Sequence, residues 1–242
     1  MDMIGSDIAN ISPDALAQSP ATLQVDVIAD LVCPWCYLGK RRLDDALGAV
    51  YGPSLVTWFP FQLNPGMPEE GMPFEEYLAS KFGDPDKLVP GIDALTAAGK
   101  AEGVDFRFDL ITHVPNTLNA HRLMNLAEQK GADATELAER ILAGFFGQGL
   151  DISDRDVLSV IGSDIGLGNM EVLSVLEDDQ SKNIVLAQEA QVRRSGVTGV
   201  PDFLVNKRLF VVGAQPTENL VNVFDRAMFG EESGIPVSEI VH

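Results

Sequence analysis

Two cysteines occur in the 242 residues, three positions apart, in Cys33-Pro34-Trp35-Cys36. Thiols at that spacing can exchange disulfides if the chain puts them at the start of a helix. There the first cysteine lies beside backbone N–H groups without helical partners and at the positive end of the helix dipole. Both favour a thiolate, and such sites lower a thiol pKa from about 8.5 to between about 3.5 and 7.5. Cys33 is then the nucleophile. Cys36, one turn deeper and pointing inward, attacks the resulting mixed disulfide and releases the partner. Two other readings compete: a pair of structural cysteines, and half of a zinc site shared across a dimer. Structural zinc wants four Cys/His ligands, usually in two pairs, and only one pair exists, so no metal is assigned.

The residues around the pair predict the required elements. Leu23, Val25, Val27 and Ala29 alternate with Gln24, Asp26 and Asp30, and Ile28 breaks the polar set, so a strand buried on both faces is expected. Cys36, Leu43, Leu47 and Val50 fall on one helical face, and Pro34 suits the first helical turn, where a missing N–H costs nothing. Gly52-Pro53 stops that helix. Leu55 to Phe61, rich in β-branched and aromatic residues, predicts a second strand, parallel to the first in a β-α-β unit. From about Pro73 to Gly196 the periodicity is helical, predicting five or six helices. Asp133 with Glu136 and Ser153 with Asp156 stand as capping pairs, and Gly131, Gly149, Gly166 and Gly196 fall at helix ends. Val104 to Leu110 alternates weakly and reads as extended. Phe203 to Val205 and Leu209 to Val212 predict an antiparallel hairpin around Asn206-Lys207-Arg208. Pro216 to Met228 predicts a closing helix with Leu220, Val223, Phe224 and Ala227 inward.

Composition bounds the function. Hydrophobic residues make up 45%, and 17 Lys+Arg face 36 Asp+Glu for a formal charge of −19. That charge repels phosphate backbones, and no basic stripe extends beyond Lys40-Arg41-Arg42, so nucleic acid is excluded as a partner. No apolar run approaches the roughly 20 residues of a membrane span, and the acidic N-terminus does not read as a secretory signal. The expectation is a soluble cytoplasmic protein with loose tails at 1–20 and 231–242.

Asp30-Leu31-Val32-Cys33-Pro34-Trp35-Cys36-Tyr37-Leu38-Gly39-Lys40-Arg41-Arg42 resembles the DsbA family of thiol:disulfide oxidoreductases, in particular its cytoplasmic FrnE-like branch. Further matches are Phe61-Gln62-Leu63-Asn64-Pro65, Asn116-Thr117-Leu118-Asn119-Ala120-His121-Arg122, Gly196-Val197-Thr198-Gly199-Val200-Pro201 and Gly213-Ala214-Gln215-Pro216. Together they extend the resemblance over residues 23–229. It implies an α/β chain with a thioredoxin-like fold at 21–68 and 197–230, interrupted by an all-helical insertion at 69–196. It also implies that Pro201 follows a cis bond opposite the dithiol, which leaves the Val200 backbone free to pair with a substrate strand beside Cys33. Val200 and Pro201, with Pro34 and Trp35 beside the nucleophile, are thus the candidate substrate-binding residues. Asp202 departs from the usual pattern after this proline, and an acid so close would raise the pKa of a neighbouring thiol.

Two accessory candidates remain. Asp30 could cap the helix or shape the turn, or could take the proton of Cys36 during release. The resemblance places His121 near the redox cleft, where it lines the substrate groove or packs between helices. Trp35 and Tyr37 flank the thiol as aromatic surface, with Tyr37 assigned to packing.

The function expected is disulfide exchange with protein or small-molecule thiols and disulfides. The dithiol itself is the redox group, and glutathione is a candidate co-substrate. At a potential near −120 mV the pair would be held reduced by roughly four decades in a cytosol near −240 mV, whereas near −270 mV electrons could flow either way. A reductase or isomerase is therefore expected rather than a net oxidant. Two alternatives stand beside it. One is a glutathione-dependent 2-hydroxychromene-2-carboxylate isomerase or kappa-class transferase, whose members typically carry serine where Cys33 stands. The other is a non-enzymatic module that holds unfolded chains.

Overall fold

A computed structural model describes residues 22–83 and 89–230. The tails expected at 1–20 and 231–242 lie outside the described residues. The first strand, β1 (Leu23–Ala29), runs into helix α1 (Pro34–Ala49) and returns through β2 (Ser54–Pro60). β1 and β2 are parallel, with Val25 opposite Val56 and Val27 opposite Trp58. Every β1 residue except Gln24 is buried, as the near-continuous apolar run requires of a strand covered on both faces.

Between β2 and the closing hairpin the chain is helical: α2 (Phe74–Phe82), α3 (Val89–Ala101), α4 (Leu118–Lys130), α5 (Ala134–Gln148), α6 (Arg155–Ser163), α7 (Asn169–Glu177) and α8 (Asp179–Arg194). These are seven helices among the described residues, where five or six were expected. The boundary between α7 and α8 carries neither Gly nor Pro. Asp178 alone makes it, ending α7 and capping α8 by accepting from the Gln180 and Ser181 amides at 3.0 Å each. Asp133 caps α5 through the Glu136 amide as expected, and Gly131 and Gly149 end their helices in the left-handed region. The expected Ser153–Asp156 pair is corrected by one residue: Asp154 is the cap of α6, accepting from the Asp156 and Val157 amides. Val104 to Leu110 is not a strand, because Phe108–Leu110 close a single 3-10 turn. A two-residue ladder, β3 (Met72–Pro73) with β4 (His113–Val114), was not foreseen.

β5 (Asp202–Val205) and β6 (Leu209–Val212) form the expected hairpin, and α9 (Thr217–Phe229) follows with Leu220 and Phe224 fully buried. The sheet order is β2-β1-β5-β6. β5 runs antiparallel to β1, with Ile28 opposite Asp202, so the residues just before β5 arrive beside the end of β1. One continuous core joins β1, α1 and β5 to the helices: Val25, Leu38, Phe203 and Phe224 share it with Leu137, Ile141 and Phe146. Each such side chain, fully buried, contributes roughly 1.5–3 kcal/mol. Among the described residues, no helix is long and apolar enough to cross a membrane.

Candidate active site

Three residues separate the end of β1 from Cys33, and they make a turn instead of extending the strand. The Cys33 amide donates to the Asp30 carbonyl at 3.2 Å. Cys33 is the N-cap of α1, with extended backbone (φ −93°, ψ 115°), and Pro34 is the first helical residue. The Cys33 carbonyl accepts from the Cys36 and Tyr37 amides at 3.0 and 3.2 Å, starting the helix. No acidic side chain lies in that first turn, so the positive end of a 16-residue helix acts on Cys33 uncompensated from within the helix.

Cys33 and Cys36 are both free and buried. Their side chains are within hydrogen-bonding reach of one another. Burial pushes the Cys36 thiol well above its ordinary range, and the neighbouring Cys33 adds to the shift. The Cys33 thiol donates to the Val200 carbonyl at 3.7 Å. Exposure does not separate the two, however. Cys33 is 3% exposed and Cys36 2%, so both residues of the pair are buried, Cys36 as its inward position requires.

The loop opposite the dithiol has the form the resemblance implied, since the Val200–Pro201 bond is cis. Pro201 is buried, and its ring lies so close to Gly39 that a methyl group there would sit 2.9 Å from Cγ. Val200 and Pro34 are half-buried, and Trp35 stands 47% exposed beside them. Tyr37 is a packing residue. Its hydroxyl donates to Glu139 Oε1 at 2.9 Å, and its ring meets Phe106 and Phe146. Asp202 accepts from the Gly213 amide at 3.2 Å, and burial pushes its carboxyl up to about 6.

Asp30 does not cap α1, because Cys33 occupies the cap position. Instead its carboxylate, 1% exposed, accepts from the Leu31 amide at 2.8 Å and the Leu63 amide at 2.7 Å. It therefore holds the dithiol turn to the segment that follows β2. His121, on α4, is 5% exposed, with Nε2 3.4 Å from Asp30 Oδ1. It lines a small cavity of about 10 Å3 together with Leu31, Trp58, Phe59 and Met124.

A surface groove does lie next to the turn. It measures about 270 Å3 and is lined by Asn64, Met67, Pro68, Met72, Tyr77 and Lys81. Asn64 follows the Leu63 that Asp30 holds, and its amide reaches the Tyr77 hydroxyl at 3.4 Å. Sequence reasoning missed this groove. Phe61-Gln62-Leu63-Asn64-Pro65 stood out only as part of the resemblance, with no sign that Tyr77 and Lys81 on α2 would face it.

A close dithiol at the first strand-to-helix turn, a cis-proline loop across it, and β-α-β and β-β-α segments around it define a thioredoxin-type dithiol protein. The DSBA-like thioredoxin domain family matches residues 24–225, and the chain belongs to that family. A protein described as a probable DsbA oxidoreductase from Streptomyces coelicolor is 31% identical, with a TM-score of 0.78 over 88% of this chain and 93% of its own. Two more distant structures share the fold. One, described as the cytosolic disulfide reductase DsbM from Pseudomonas aeruginosa and solved with GSH, is 19% identical over 85% of this chain and 95% of its own, at a TM-score of 0.56. The other, a 2-hydroxychromene-2-carboxylate isomerase, is 14% identical over 84% of this chain and 95% of its own, at a TM-score of 0.65.

Proposed function

We propose that this protein is a cytoplasmic thiol:disulfide oxidoreductase that reduces or isomerises disulfides of proteins or small thiols through Cys33 and Cys36. The observation that carries the reading is the cap position of Cys33 on α1, with Cys36 buried close behind it on the first turn. In the reducing direction, the Cys33 thiolate attacks a substrate disulfide. The Cys33–substrate S–S bond forms, the substrate S–S bond breaks, and one substrate sulfur leaves as a thiolate that takes a proton from water. Cys36 then loses its proton and attacks the Cys33 sulfur. The intramolecular disulfide forms, the second substrate sulfur departs, and two electrons have passed from dithiol to substrate. A small thiol such as glutathione would restore the dithiol. The high pKa that burial imposes on Cys36 keeps it protonated until Cys33 has reacted, which orders the two steps.

The isomerase reading shares the fold, as the structure of the 2-hydroxychromene-2-carboxylate isomerase illustrates. A cysteine at position 33, where those enzymes typically carry serine, favours disulfide exchange. Cys36→Ser separates the two readings. With oxidised glutathione as probe, the variant is expected to accumulate a dithiothreitol-sensitive adduct on Cys33, seen by mass spectrometry. An isomerase or a pure binding module would leave Cys33 unmodified, and that result would overturn the proposal.

A further inference from the structure

A disulfide under attack has two halves, one that stays on Cys33 and one that departs, and the three sulfurs stand in line while the bond changes partners. The halves therefore need separate places to lie. The sheet order β2-β1-β5-β6 gives the dithiol turn, at the end of β1, two flanks. On one stands the loop before β5, where the Val200 carbonyl meets the Cys33 thiol at 3.7 Å. On the other stands the segment after β2, fixed by the Leu63 amide on the Asp30 carboxylate at 2.7 Å. The groove of about 270 Å3 opens on this second flank. Met67, Pro68 and Met72 form its apolar wall, and methionine adapts to side chains of many shapes. Its polar groups form a chain. The Lys81 ammonium donates to Asn64 Oδ1 at 3.0 Å, which turns Asn64 Nδ2 toward the Tyr77 hydroxyl at 3.4 Å. The phenol oxygen accepts there, and its own proton has no acceptor among the described residues. Burial pushes the phenol above its ordinary pKa, Asn64 opposes, and the charges of Asp30 and Cys33 add to the rise. The hydroxyl thus stays protonated, within the field of the reacting sulfur.

We infer that this groove receives the departing half of a polypeptide disulfide: the Tyr77 hydroxyl donates to the sulfur that leaves, and Met67 and Met72 take an apolar side chain next to the departing cysteine. The inference rests on the dithiol exchange proposed above and gives its first leaving group a place. The Cys33 thiolate forms a bond to the nearer substrate sulfur, the substrate S–S bond breaks, and the electron pair goes to the farther sulfur. That thiolate forms against the Tyr77 O–H, which keeps its proton and donates a hydrogen bond, and water later protonates the thiolate. A donor aimed where charge develops favours the step more than it favours the resting disulfide. The need for one is greater here, because the groove wall is apolar and a chain of formal charge −19 disfavours a further anion. Tyr77 is then a catalytic residue, and Asn64 and Lys81 are positioning residues that aim it. Glutathione, whose cysteine stands between a γ-glutamyl group and a glycine, offers no apolar side chain to the wall and is the weaker substrate.

The test uses Cys36→Ser, which halts after the first step, and reads the Cys33 adduct by acid quench and mass spectrometry. The probe is an unsymmetrical disulfide of two blocked peptides, one with leucine and the other with glycine after its cysteine. Relative to the split that 2-mercaptoethanol gives with the same probe, departure of the leucine half should be favoured by at least about threefold. An unchanged split, or a bias toward retaining the leucine half, would overturn the inference, as would a stronger bias when glutamate replaces the leucine. Adding Tyr77→Phe removes one oxygen. Adduct formation with the peptide disulfide should then slow by about tenfold. With an aromatic disulfide, whose leaving thiolate is a weak base that needs little help, the slowing should shrink to less than about twofold. Equal slowing of both, which a merely structural role would give, or slowing of neither, would overturn the inference. Should that variant fail to fold, the unsymmetrical probe decides alone. If Cys36→Ser forms no adduct with any of these disulfides, the dithiol reading itself fails. An adduct that forms without the bias and without dependence on Tyr77 removes the groove alone.

Discussion

At single positions the fold constrains charge as tightly as it constrains shape. Asp202 follows the cis proline and is buried at the start of β5, and its carboxyl is pushed from 3.8 up to about 6 by burial, with the Gly213 amide opposing the shift. A folded pKa above the unfolded one means that this group's contribution to stability is fully present below pH 3.8. It is lost as pH rises through 6. Asp202→Asn keeps an acceptor for Gly213 and removes the charge. It should therefore be more stable than the parent at pH 7, by of order 1 kcal/mol once solvent screening is allowed for, and the difference should shrink toward pH 4. Urea unfolding at the two pH values checks this. From sequence, Asp202 reads as a threat to the thiolate at Cys33. The structure shows burial as the main influence on it, which the residue type alone could not reveal.

Between elements, the contact that sets the site is α1 against the loop before β5. Gly39 lets the two approach, since a Cβ there would meet Pro201 Cγ at 2.9 Å and the Phe203 ring at 3.4 Å. In an exposed helix Gly→Ala gains about 1 kcal/mol. Here the clash reverses the sign: Gly39→Ala should destabilise by roughly 1–3 kcal/mol and slow exchange by shifting the Val200 carbonyl from Cys33, as measured by thermal unfolding and by the rate of insulin reduction. Elements of this kind were largely legible. Alternation in Leu23–Ala29, the proline at the first turn of α1 and the paired apolar runs around Asn206 each carry their own signal. The helical segment was less so. Periodicity runs through the α7–α8 junction because Asp178 breaks the helix by capping, a signal far weaker than glycine or proline.

Taken over the full fold, the site is assembled from residues far apart in the chain. Asp30 meets Leu63, 33 positions on, and Cys33 meets Val200, 167 positions on. The cysteine pair and its turn could be read directly, because their chemistry is local. The groove beside Asn64 and the face of α4 that brings His121 to Asp30 could not, because only the packing of helices around the common core decides them. That core also carries the redox chemistry, since Cys33 and Cys36 belong to it alongside Leu38 and Phe203. A disulfide should therefore close without rebuilding the protein.

Equilibration of the intact protein across a series of dithiothreitol or glutathione redox buffers, followed by alkylation and peptide mass spectrometry, puts the two sulfurs to the proof. A single reversible two-electron transition that joins Cys33 to Cys36 is the expected result. If both thiols are alkylated separately at every potential, or if each pairs only with a second chain, they are not a redox couple and the account fails.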